Sequence, residues 1–354
     1  MARRKLIWHI GLAHAPRAVI EANLAAHHDA LEAAGVRVAA PPGEARLATH
    51  ELLRTHRQAG LARHEVEGRW ARICDRVWEH KGVSVLSTPD LCLADKDQIR
   101  LALNPLIGVE VHLVVTLDSF SQQLYGGWLA ELRAGRTTGW DKYVGRVLDH
   151  ATEGVPEHRQ GEEFWAGHEL ASVLARWGWT FHADRLHVVA DPEVTGHWHE
   201  FADLTGVSSD DLPCVVPPYA DPAGVAVLRK VNRQLEEPML RSSADLLLDL
   251  DHDRGAMPVA PTSALQPLVE RWSVTLAHAG YDVRGDLGML VSEGPERSIP
   301  GPRDQLGVAV DALADALAEN TRLQAVVSSL ETERDRLDRK RRKWKHRAQV
   351  AAVR

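Results

Sequence analysis

Gly11, His14 and Arg17 fall in one seven-residue stretch, between an apolar run ending at Gly11 and a helical pattern beginning near Pro16. Strand, tight loop and helix in that order turn backbone N–H groups and the positive end of a helix toward one point. That arrangement holds a phosphate or a sulfate. Among Ala13, His14, Ala15, Pro16, Arg17 and Ala18, only His14 and Arg17 carry groups that could meet an anion. Such loops normally use glycines for close backbone approach, and a Lys with hydroxyls for charge and hydrogen bonds. The placement is that of a phosphate cradle and the composition is not. Pro16 suits the first helical position but offers a ligand no N–H.

Two carboxylates complete the set. Asp90 follows Thr88-Pro89 and reads as a turn residue or as a general base. Asp118 reads as the cap of a helix starting near Ser119 or Phe120, or as a residue of the same site. The nineteen histidines invite a metal site, notably His197 with His199 and His27 with His28. Residues two apart on a helix point in different directions and no third ligand is evident, so no metal is expected.

The elements that must position these groups alternate. Leu6, Ile7, Trp8 and Ile10 form an almost continuous apolar strand, as expected for one buried on both faces of a parallel sheet. Val19, Ile20, Leu24, Leu31 and Ala34 recur near helical spacing, with Gly35 placed to end the helix. Further strands are expected at 36–38, 83–87, 109–116 and 186–190. Helices are expected at 43–78, 95–103, 121–134, 164–179, 198–205, 224–240 and 266–280. Strands alternating with helices and lacking hairpin signals predict an α/β fold, a doubly wound parallel sheet flanked by helices. Six tryptophans, including Trp70, Trp128 and Trp177, sit at helical positions that suit packing.

The 354 residues can bury a substantial core. Ten Lys/Arg against four Asp/Glu from Glu331 onward give a local +6, leaving −13 of the net −7 on residues 1–330. So acidic a body does not suit a nucleic-acid binder, and no specific nucleic acid is expected. Cys74, Cys92 and Cys214 are widely spaced and form no CxxC, which suits a reducing compartment. The apolar run after MARRK is too short for a signal peptide and contains His9, and no stretch reaches membrane-spanning length. A cytoplasmic protein is expected.

After about Glu296 the character changes. The expected layout is an α/β domain over 1–295, a linker over 296–305 marked by Pro300-Gly301-Pro302, and a C-terminal coiled-coil-like helix with a basic end over 306–354. Leu306, Val310, Leu313 and Leu317 follow 4-3-4 spacing. Asn320 interrupts it, and Leu323, Val326, Leu330 and Leu337 continue in a shifted register. Residues 306–337 could serve self-association or a protein partner. The basic tail 339–347 could touch an anionic surface, or simply complement its own helix dipole.

At these residues a resemblance enters. IWHIGLAHAPRAVIEANLAAHHDALEAAGVRV resembles the opening of actinobacterial sulfotransferase-family proteins, which have a P-loop-type fold. Their HIGLPKTGTTYLQ-type loop binds the phosphosulfate end of the donor, 3′-phosphoadenosine 5′-phosphosulfate. EVHLVVTLDSFSQQLYGGWLAELRAGRTTGWDKYVGRVL is similar to their second signature, a strand ending in Arg-Asp followed by a Trp-containing helix. FWAGHELASVLARWGWTFHADRLHVVADP and AGYDVRGDLGMLV resemble later segments, so the patches run over roughly residues 5–295.

The resemblance implies sulfuryl transfer to a small-molecule or glycan acceptor. It puts Gly11, His14, Arg17 and Asp118 at the donor, with Asp90 and His14 as the catalytic candidates. Carried over position by position, the chemistry changes. The family's loop Lys falls at His14, and its Thr and Gly positions at Ala15, Pro16, Arg17 and Ala18. The Arg for the 3′-phosphate falls at Leu117, leaving Asp118, and a further Ser ligand falls near Gly126. Ser87 is kept; the carboxylate that follows it falls at Pro89, beside Asp90. The expectation is therefore a sulfotransferase-like protein with a degraded donor site and reduced or no catalysis. The alternatives are an active divergent sulfotransferase and a non-catalytic scaffold acting through its coil.

Overall fold

The computed structural model describes residues 4–15, 17–153, 158–191, 193–235, 244, 247–248, 258–291 and 301–352. Pro16, residues 236–240 of the helix expected at 224–240, and residues 296–300 of the expected linker lie outside the described residues. Contacts divide the chain into two compact units, Met1–Ile299 and Pro300–Arg354.

The first unit opens with β1 (Lys5–Gly11), α1 (Val19–Ala26), α2 (His28–Ala33) and β2 (Val36–Val38). Next come α3 (Pro42–Leu53), α4 (Arg63–Val66), α5 (Arg69–Glu79), β3 (Val83–Ser87) and α6 (Lys96–Leu103). β4 (Glu110–Leu117) leads into α7 (Phe120–Arg133), α8 (Trp140–Glu153), α9 (Arg159–His168) and α10 (Leu170–Gly178). β5 (Leu186–Ala190), α11 (Val194–Thr205), α12 (Pro222–Asn232), α13 (Gln266–Ala279) and β6 (Asp282–Gly285) complete it. The second unit is one helix, α14 (Pro302–Ala352).

Among the described residues six strands form one sheet in the order β2-β3-β1-β4-β5-β6, every pair parallel. The α/β fold expected from the alternating pattern is the fold observed. β1 lies at the centre, with Ile7 opposite Val85 on β3 and His112 on β4. The chain leaves β1 toward one side of the sheet and β4 toward the other. A crevice therefore opens between their carboxyl ends, where open α/β sheets bind ligands.

Alternation along β1 sends its side chains to two helical layers. Ile7 packs with Ile20 and Leu24 of α1 and with Trp198 and Phe201 of α11. Trp8 faces the other way. It stacks on Trp70 of α5 at 5.1 Å, meets Trp177 of α10 edge-on at 5.4 Å, and donates to Thr88 Oγ1 at 2.7 Å.

Several elements differ from expectation for local reasons. The helix expected over 43–78 is three helices, because Arg54 turns left-handed (φ 59°) and closes α3. The one expected over 164–179 breaks at Glu169, whose carboxylate accepts from Ser172 N and starts α10. The helix after the loop divides at His27, which bonds Pro213 O. Ser119 rather than Asp118 caps α7, through a reciprocal pair with Gln122. β6 is a short polar strand with no apolar run to announce it. It is pinned by His187 Nδ1 to Asp282 Oδ2 at 2.6 Å and by Arg284 to Glu200 at 2.7 Å.

Candidate functional site

Between the ends of β1 and β4, His9, Arg17, Glu21, Thr116, Asp118 and His197 line a cleft together with Ala15, Ala18, Val19 and Ile20. The strand ends supply its floor. His9 is buried, with Nδ1 2.7 Å from Ser87 Oγ and Nε2 3.1 Å from Thr116 Oγ1. Ser87 in turn donates to Glu21 Oε1 at 2.9 Å. That donation fixes the ring: Nδ1–H gives to Ser87, and Nε2 accepts the Thr116 hydroxyl. Burial, reinforced by the neighbouring His197, pulls the His9 pKa down to about 3, so the imidazole is neutral. Burial pushes the Glu21 carboxyl up, against the pull of the Ser87 hydrogen bond. The chain Glu21–Ser87–His9–Thr116 thus ties α1 to β3, β1 and β4 under the loop. It can pass a proton but presents no positive charge.

The loop itself is shaped by contacts within the protein. Gly11 has φ +148°, and a Cβ there would stand 2.8 Å from Cys92 Cβ and 3.0 Å from Pro89 O. The glycine is used for the close approach of the Pro89–Leu93 turn. His14 (φ 58°) and Ala18 (φ 44°) both hold left-handed backbone, a conformation that disfavours residues with a Cβ. Ala18 opens α1 with no side-chain cap.

Arg17 reaches the cleft but is already engaged. Its guanidinium carbon lies 3.9 Å from the centre of the Tyr219 ring, and its Nη2 donates to Tyr219 Oη at 2.7 Å. Gln122 Nε2 donates to the same oxygen at 2.5 Å. Arg17 Nε is buried with no hydrogen-bond partner. On the other wall Asp118 Oδ1 stands 3.7 Å from His197 Nδ1, while His197 Nε2 donates to Leu117 O at 3.2 Å. Burial raises the Asp118 pKa, opposed by His197 and Arg17. The space left is about 10 Å³, the room of one water at most.

His14 and Asp90, proposed from sequence, do meet. Nδ1 and Oδ1 are 3.8 Å apart, both side chains more than a third exposed. Behind them His168 is buried against Phe164, with ring centroids 3.9 Å apart. Its Nδ1–H donates to Phe164 O at 2.8 Å, its Nε2 has no partner, and burial lowers its pKa to about 3. The structure therefore sorts the sequence candidates into two groups, Arg17 with Asp118 lining the cleft and His14 with Asp90 paired outside that lining. Gly11 packs against the Pro89–Leu93 turn.

Sequence reasoning missed His9, Glu21, Thr116 and Tyr219 as site residues, and weighed His197 only as a metal ligand beside His199. Glu21 and Thr116 had a signal in their places, the first turn of α1 and the last buried position but one of β4. Tyr219 had none, standing 202 residues from the arginine it covers. His27 and His28 have separate partners, Pro213 O and Asp29. Among the described residues no group of three His, Cys, Asp or Glu side chains is placed to hold a metal ion. No helix among them is long and apolar enough to cross a membrane.

No protein-family profile matches the chain, and no curated protein does. A crystal structure of a sulfotransferase from Alicyclobacillus acidocaldarius is similar to it, with a TM-score of 0.42 and 15% identity, over 79% of this chain and 96% of that one.

Opposite outcomes are expected at the two ends of the loop. Gly11→Ala should destabilise the protein by about 2–3 kcal/mol, since the new methyl overlaps Cys92 and the backbone of Pro89. Ala18→Gly should stabilise it by about 0.5–1 kcal/mol, the left-handed strain relieved less the extra entropy of the unfolded chain. Urea unfolding measures both, and equal losses at the two sites would contradict the loop geometry. Acid provides a third test. Below pH 6.5 the unfolded chain protonates His9 and His168 while the folded chain, with both near 3, does not, so stability falls with pH across that window. Each histidine contributes about 2 kcal/mol of loss by pH 5. Glu21 and Asp118, whose pKa values are raised, act in the opposite sense. His168→Leu should therefore recover about 2 kcal/mol of the pH 7 to pH 5 loss. An undiminished loss would mean that His168 is not held neutral.

Proposed function

We propose that this chain is a sulfotransferase-like protein whose donor site is degraded, with reduced or no sulfuryl transfer from 3′-phosphoadenosine 5′-phosphosulfate. The single observation that carries the reading is the cleft at the β1–β4 crevice, filled by the protein itself. The cation that could meet a phosphosulfate is clamped on Tyr219, and about 10 Å³ remains. The residues present do not fit the donor. Glu21 and Asp118 line the same cleft and oppose an anion, and the floor imidazole is neutral.

Transfer of this type depends on positioning and on charge stabilisation. Loss of one preorganised donor costs on the order of 100- to 1,000-fold in rate. Here the loop carries no Lys, and Leu117 stands where the resemblance calls for the arginine of the 3′-phosphate. Charge-assisted hydrogen bonds to phosphate are the strong ones, so nucleotide affinity goes with them.

One observation favours the second reading, an active divergent enzyme acting on a small-molecule or glycan acceptor. His14 and Asp90 come together beside the loop, where an acid–base pair would serve. Calorimetric titration with 3′-phosphoadenosine 5′-phosphate separates the two. A degraded site should give no saturable heat at millimolar ligand. Saturable binding that stabilises the fold by about 2.7 kcal/mol at 100 times the dissociation constant, and is lost in Arg17→Ala, would overturn it.

A further inference from the structure

Helix α14 carries an apolar stripe that its own unit leaves uncovered. Leu306, Leu313, Leu317, Val327, Leu330 and Leu337 are between 53 and 65% exposed. We propose that this stripe pairs with the same helix of a second copy of the chain, antiparallel, about a two-fold axis at Val327.

Two independent features of the sequence converge on that axis. The first is charge. Residues 304–319 hold four acids and no Lys or Arg, whereas 339–347 hold seven Lys/Arg and no acid. The two segments are centred almost equally far from Val327, on opposite sides. An antiparallel partner therefore lays acid on base, with Asp311 beside Lys343 and Asp315 beside Arg339. A parallel partner would stack the seven cations on seven others, and like charges across a helical seam are destabilising.

The second is the stripe's own spacing. Measured outward from Val327, its positions fall 10, 14, 17 and 21 residues toward the N-terminus, at Leu317, Leu313, Val310 and Leu306. Toward the C-terminus the matching positions hold Leu337, Arg341, Trp344 and Ala348. Reversal thus sets Leu317 on the partner copy's Leu337, and lets the Arg341 stem lie along Leu313. The polar interruption Asn320 mirrors onto Arg334, so these two polar seam residues face each other. In the parallel arrangement Arg334 and Arg341 would each meet their own copies in the seam. The shift of register near Leu323 lies beside the axis, so both copies carry the irregularity at one level of the seam. The seam from Leu306 to Ala348 is about 60 Å long.

Cross-linking of the full chain in a Cys214→Ser background tests both the pairing and its direction, since Cys74 and Cys92 are buried. A mixture of Leu317→Cys and Leu337→Cys chains should oxidise to a disulfide-linked dimer of twice 39.1 kDa, while neither variant alone should cross-link. Light scattering on the unmodified chain should give the same doubled mass, falling toward the monomer as salt rises. Self-cross-linking of Leu317→Cys alone would make the pairing parallel and overturn the proposal. A monomeric mass at low salt and high protein concentration would overturn self-association altogether.

Discussion

A neutral imidazole holds the centre of this fold together. His9 lies in the middle strand of the sheet and reaches Ser87 on one neighbouring strand and Thr116 on the other. Through Ser87 it also reaches Glu21 of the first helix. A charged ring would carry an uncompensated desolvation cost in that place, and an apolar ring would take one hydrogen bond from each of two buried hydroxyls. The strand ends and the start of α1 are therefore fixed relative to each other by a network with no net positive charge. The floor of the cleft is thus hydrogen-bonded within the protein and carries no positive charge.

The loop above that floor repeats the pattern. Its glycine accommodates a neighbouring turn, its left-handed positions are filled by His14 and Ala18, and its arginine is spent on an aromatic ring. Stacking on Tyr219 satisfies most of the guanidinium but strands Nε in the interior, a cost the protein bears to close the cleft. Closure joins two distant parts of the chain, since Tyr219 follows α11 and also takes a hydrogen bond from Gln122 of α7. Arg17, which lines the β1–β4 cleft, is held by this packing.

Much of this was legible in the sequence. The apolar runs at Leu6–Ile10 and along β4, each followed by a helical period, identify the parallel sheet because burial on both faces leaves no other pattern. From Ala13 to Ala18 the sequence has no glycine, Lys or hydroxyl, so the loop's departure from the composition of a phosphate cradle was legible. The partners of Arg17 and His9 were not legible, because they are contacts across the chain. Tyr219 lies in an irregular segment with no periodicity, and Glu21 reads as an ordinary first-turn acid until the Ser87 hydroxyl is placed beside it. β6 escaped for a similar reason, since its hold on the sheet edge comes from His187 and Glu200 rather than from apolar residues of its own. Asp118 was misplaced by one residue as a cap because Ser119 satisfies the same helix end.

The closed state of the cleft can be read at one group. Nitrogen-15 NMR of the arginine side chains would follow the Arg17 Nε–H, which sits buried beside the Tyr219 ring. A cleft filled by the protein predicts a resolved, slowly exchanging Nε–H signal, displaced by the ring and unmoved by millimolar 3′-phosphoadenosine 5′-phosphate. A signal averaged with solvent-exposed arginines, or one that shifts saturably with the nucleotide, would contradict it.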